Sequence, residues 1–109
     1  AKKIAKMGEA VLDRLLELSE SGVWFTRAAA ALGLGELGME PAVPSLARIL
    51  KKDRNRTVIK EATVAIARIL IRNHRDISYL DQFGIRMEFL SYLNEYAREL
   101  KPRLGLKSD

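Results

Sequence analysis

Gly33-Leu34-Gly35-Glu36-Leu37-Gly38 is a literal G-x-G-x-x-G, and Asp53 lies twenty positions beyond its first glycine. In a dinucleotide site such glycines let the backbone approach a pyrophosphate, and the acidic residue holds a ribose hydroxyl. That chemistry needs a strand before the glycines and a helix opening at them, because a helix N-terminus receives the phosphate. Here Ala28-Ala29-Ala30-Ala31 precede the glycines and read as a helix that is closing. A closing helix presents carbonyls, which repel phosphate. No cofactor is expected.

Other constellations fail on composition. His74 is the single histidine, between Arg72 and Arg75, and no paired His-Glu motif accompanies it, so no metal site is expected. There is no cysteine and no serine placed near His74 for a nucleophilic triad. Glu9, Asp13 and Glu17 recur at i, i+4 spacing and describe a solvated helix face rather than an acid/base pair. The chain reads as a non-enzyme with no catalytic residue.

The basic residues carry more information. Residues 48–75 hold nine basic side chains against Asp53 and Glu61, net +7, while the flanking segments 1–47 and 76–109 are each net −1. The candidates for an anionic partner are Lys51, Lys52, Arg54 and Arg56, crowding one loop, with Lys60, Arg68, Arg72 and Arg75 along the helix after it. Such a run is a solvated face plus cations at a helix C-terminus, or it meets nucleic-acid backbone, acidic protein or lipid headgroups. Equivalent positions of successive second helices read Lys6, Glu36 and Arg68, so no continuous basic ladder is expected. The aromatics lie elsewhere, which removes the stacking platform a single strand would use.

A chain of 109 residues with 48% hydrophobic and 30% charged residues has room for one small folded domain. No apolar run approaches the roughly 20 residues that span a bilayer. Together with the absence of cysteine, that fits a cytoplasmic location.

The elements that position these residues are helical throughout. Val11, Leu12, Leu15 and Leu16 form an i, i+4 stripe on a helix from about Glu9 to Ser19. A second helix is expected from Val23 to Leu37, with Gly38 in the left-handed position after it. A third is expected from Pro41 to Lys52. A fourth, capped by Asp53 or Asn55, should run from Arg56 to about Asn73 and be the most buried. A short helix is expected over Ile77 to Phe83, and a last one from beyond Gly84 to Pro102.

The pattern repeats. Leu12, Leu15 and Leu16 match Leu46, Ile49 and Leu50; Ala30, Leu34 and Leu37 match Ala62, Ile66 and Ile69. Ala30-Ala31, Leu34-Gly35, Leu37-Gly38, Ala42-Val43-Pro44, Leu46 and Ile49-Leu50 resemble the short HEAT repeat, A-A-x-A-L-G-x-L-G-x-x-x-A-V-P-x-L-x-x-L-L. The resemblance covers about Ile4 to Leu70. It implies an all-α, right-handed superhelical α-solenoid that binds other proteins along exposed helix faces. It also implies that Arg27 bridges neighbouring repeats through a carboxylate or carbonyl.

The expected division is the end of a partial repeat at 1–8, repeats at 9–38 and 41–73, a divergent capping unit at 76–102, and a flexible tail at 103–109. The capping unit holds five of the seven aromatics. Tyr79, Phe83, Phe89, Tyr92 and Tyr96 either cover the last repeat or dock a partner, with Tyr79, Phe83, Tyr92 and Tyr96 as the docking candidates. The resulting function is a scaffold that binds protein, with nucleic-acid binding through 48–75 as the alternative.

Overall fold

The computed structural model describes residues 2–107, and side chains from Met7 onward. Ala1, Ser108 and Asp109, which bound the expected partial repeat and tail, lie outside it, as does the side chain of Lys6. Five α-helices follow in order: α1 Lys2–Leu18, α2 Trp24–Leu37, α3 Val43–Lys52, α4 Arg56–Arg72 and α5 Arg86–Tyr96. There is no strand among the described residues.

The pairs α1–α2 and α3–α4 are two helical hairpins, and α2 packs along α4 as the principal contact between them. Their close approach is written in small residues. A Cβ built on Gly35 would stand 2.7 Å from Ala65 Cα and 2.9 Å from its Cβ, so glycine is required where the backbones cross. Gly38 has φ +71° and ends α2 as expected, its N–H donating to Leu34 O at 3.0 Å. The three glycines of the G-x-G-x-x-G are thereby accounted for by packing. Gly33 faces Leu15 of α1, Gly35 faces α4, and Gly38 makes the turn.

α4 is the central element. Val58, Ala62, Ile66, Ile69 and Leu70 are buried among α2, α3 and α5, and Asn55 caps the helix by accepting from Val58 N at 3.1 Å. Thr63, also buried, spends its hydroxyl on Ile59 O at 2.8 Å. Phe89 and Leu93 of α5, with Ile85 and Leu80, close the core beyond α4.

Three boundaries differ from the sequence reading, each for a physical reason. α1 continues without a turn through Gly8, so nothing in the backbone separates an initial partial unit from the helix after it. A lone glycine costs a helix only about 1 kcal/mol and does not end it. Glu40–Ala42 forms a 3₁₀ turn rather than the start of α3, because the Pro44 ring lacks an N–H and crowds the carbonyl of Glu40. The short helix expected over Ile77–Phe83 stands at those bounds as a 3₁₀ helix, capped by Asp76 and ended by Gly84 at φ +66°. The last helix stops at Tyr96 instead of Pro102. The chain bends at buried Ala97 and makes 3₁₀ turns at Arg98–Leu100 and Pro102–Leu104. That bend returns Leu104, 8% exposed, toward α4, so Leu104 and half-buried Leu106, within the stretch expected to fray, pack against the core, while Arg103, Gly105 and Lys107 are exposed.

Candidate functional site

Among the described residues, two ion pairs join the hairpins, and the more buried of them lies between Arg27 and Asp53. Arg27 Nε donates to Asp53 Oδ2 at 2.7 Å and Nη2 donates to Oδ1 at 3.0 Å, while Nη1 donates to Ser21 O at 3.0 Å. Arg27 thus ties its own α1–α2 loop to the α3–α4 loop of the next repeat, in the bridging role implied for it. The Asp53 hydrogen bond raises the pKa of Arg27. Burial opposes the Asp53 charge, but the bonds from Arg27 and from the Asn55 and Arg54 amides outweigh it and hold its carboxyl below the usual range. Asp53 therefore serves the junction, and Asn55 alone caps α4.

Beside this pair lies a cavity of about 410 Å³, with Glu20, Arg48, Ile49, Lys52 and Arg54 in its lining. Arg48 Nη1 donates to Glu20 Oε1 at 2.6 Å across its solvent-exposed rim. A second, smaller concavity of about 260 Å³ shares Arg48 and Lys52 and adds Pro44, Lys51 and Phe83.

The eight basic candidates do not share one face. Lys51, Lys52 and Arg54 belong to these concavities. Arg56, at the start of α4, reaches Glu95 Oε1 at 3.4 Å and Tyr96 Oη at 3.4 Å. Lys60 and Arg68 are exposed on the outer stripe of α4, with half-buried Glu61 and Val64 between them. Arg72 lies across Gly38 and donates to Glu36 O at 3.3 Å. Arg75 pairs with Glu40 at 2.8 Å and sits 4.9 Å over the Tyr79 ring.

The four aromatic candidates form two pairs within residues 76–102. Tyr79 meets Phe83 edge-on, Tyr92 stacks on Tyr96, and all four are half-buried against the core. Among the described residues, most of the exposed large apolar side chains lie at the other end of the chain. Met7 and Val11 on α1, and Trp24, Phe25 and Leu32 on α2, are 39–67% exposed. Trp24 and Phe25 pack edge-to-face at 5.8 Å. Sequence reading missed this surface. The available signal was Phe25, Ala29 and Leu32 at helical spacing opposite the alanines that face α4.

His74 is exposed, with φ 54°, in the turn after α4. Among the described residues, no three His, Asp or Glu side chains converge as metal ligands, and no helix is long and apolar enough to cross a membrane.

Two α-helical hairpins stacked through their second helices, with an arginine tying successive loops, define a helical-repeat protein. A family model described as HEAT repeats matches residues 1–67, and the chain belongs to the HEAT-repeat family. No curated protein matches the chain, and no solved structure does.

Proposed function

We propose that this domain is a non-catalytic scaffold that docks another protein on the exposed faces of α1 and α2. The observation that carries the reading is the exposure of Met7, Val11, Trp24, Phe25 and Leu32 on these two helices, with Trp24 and Phe25 packed edge-to-face. Trp and Phe are rigid anchors that gain much contact area for little conformational entropy. Membership of a helical-repeat family supports it, since such folds present extended surfaces to partners.

Nucleic-acid binding through residues 48–75 is the second reading, favoured by the net +7 of that segment. Its weakness is dispersion: Arg56 and Arg75 face Glu95 and Glu40, and Glu61 interrupts the Lys60–Arg68 stripe. Capture from cell extract, with and without nuclease, separates the two. Under the scaffold reading a protein is retained after nuclease and lost with Trp24→Ser/Phe25→Ser, while Lys60→Gln/Arg68→Gln retains it. Loss on nuclease treatment, or loss with the lysine–arginine variant alone, would put nucleic acid first.

A further inference from the structure

We infer that the two concavities flanking α3 form a binding groove for an acidic, extended peptide segment of the partner, an inference that rests on the partner being a protein. The groove is separate from the apolar face of α1–α2. It is built around Arg48 and Lys52, which line both concavities, with Arg54 on one side and Lys51 on the other.

Charge is the first argument. Both acidic residues of the groove are already engaged by its arginines: Asp53 by Arg27 in a two-pronged pair, and Glu20 by Arg48. Lys51, Lys52 and Arg54 have no ion-pair partner among the described residues. The unbalanced charge of the groove is therefore positive, and it is concentrated in concave surface, where the field of several cations adds.

The chemistry of the ligand follows from what the groove already holds. Two of its three arginines, Arg27 and Arg48, each grip a carboxylate, and Glu20 is a carboxylate tethered at the rim. Glu20 is 63% exposed and held to Arg48 by a single contact, so it can be displaced by an incoming carboxylate that also meets Lys52 and Arg54. Asp53 is largely buried and held at both oxygens, so it stays. The lining also carries apolar surface, Ile49 in the larger concavity and Pro44 and Phe83 in the smaller. A peptide supplies apolar side chains for those walls between its acidic ones, because alternate residues of an extended chain face the same way. A nucleic-acid strand would call for aromatic faces on which successive bases stack, and Phe83 is the single aromatic of the groove.

The test uses a labelled peptide of about ten residues, alternating glutamate and serine around a central leucine, long enough to cross α3 when extended. Its glutamine twin and a single-stranded oligonucleotide of equal charge run beside it, with affinity read by fluorescence anisotropy. The acidic peptide should bind and its twin should not. Arg48→Gln/Lys52→Gln should weaken binding about tenfold, the scale of losing a charge-assisted contact. Glu20→Gln should strengthen it a few-fold by removing the competing carboxylate. Glu9→Gln, which removes the same charge from a remote part of α1, should not.

Equal gains from Glu20→Gln and Glu9→Gln would overturn the groove, as would equal losses from Lys60→Gln/Arg68→Gln; binding would then follow net charge. Absence of peptide binding would also overturn it, leaving the scaffold reading to stand on nuclease-resistant capture. An oligonucleotide that binds tighter than the peptide, and is lost with Arg48→Gln/Lys52→Gln, would overturn both. Thermal melts of each variant confirm folding, and the gain expected for Glu20→Gln cannot arise from a misfolded chain.

Discussion

Arg27 and Asp53, at the same end of successive repeats, meet through two hydrogen bonds of 2.7 and 3.0 Å. The guanidinium also holds Ser21 O, so one side chain fixes two loops that no regular secondary structure joins. Asp53→Asn removes the charge and one acceptor while leaving Arg27 mostly buried, at 21% side-chain exposure. The expected loss is about 2–4 kcal/mol in urea unfolding, toward the lower end of what breaking a buried pair costs. A loss within about 0.5 kcal/mol, the surface-substitution range, would mean the pair is incidental.

The same pair makes stability depend on pH. The folded-state pKa of Asp53 is depressed, so its contribution is fully present above the unfolded value of about 3.9 and is lost as pH falls through the folded one. The melting temperature should drop on acidification below about pH 4, and Asp53→Asn should flatten part of that drop. An unchanged acid limb in the variant would contradict the assignment.

Gly35 is expected to tolerate no side chain. Gly35→Ala places a methyl within 3 Å of Ala65, and separating α2 from α4 should cost about 1–3 kcal/mol, more than the gain of up to about 1 kcal/mol in helix propensity. A more stable alanine variant would show that the two helices slide without penalty.

Ile66 lies fully buried in the helix that α2, α3 and α5 all touch. Ile66→Ala should destabilise by about 2–5 kcal/mol through lost transfer energy and a residual cavity. A value below about 0.5 kcal/mol would place α4 at the periphery.

The repeat core was legible because its chemistry is local. The Leu12-Leu15-Leu16 and Leu46-Ile49-Leu50 stripes and the left-handed Gly38 each follow from residue type and spacing. Arg27 was legible as a bridge, but its acceptor was not: Asp53 stands where a helix cap is also expected, and only the stacked loops decide between the roles. The packing of Leu104 and Leu106 was not legible because they have no helical spacing to announce them, and it depends on the bend at Ala97. The eight basic candidates shared a segment and were separated by geometry. Helix rotation and the positions of Glu36, Glu40 and Glu95 distribute them over several surfaces. Trp24 and Phe25 escaped notice because a two-residue aromatic pair at a helix start reads equally as core.

The measurement that most directly separates a protein scaffold from a nucleic-acid binder is a duplex titration at physiological salt. A scaffold with dispersed cations should bind no tighter than non-specifically, with Kd in the range of about 10⁻⁴–10⁻⁶ M and no sequence preference. Its affinity should fall with salt in proportion to the few phosphates neutralised, by a log–log slope of about −0.9 for each. A nanomolar complex at that salt, abolished by Arg68→Gln/Arg72→Gln, would contradict the scaffold reading.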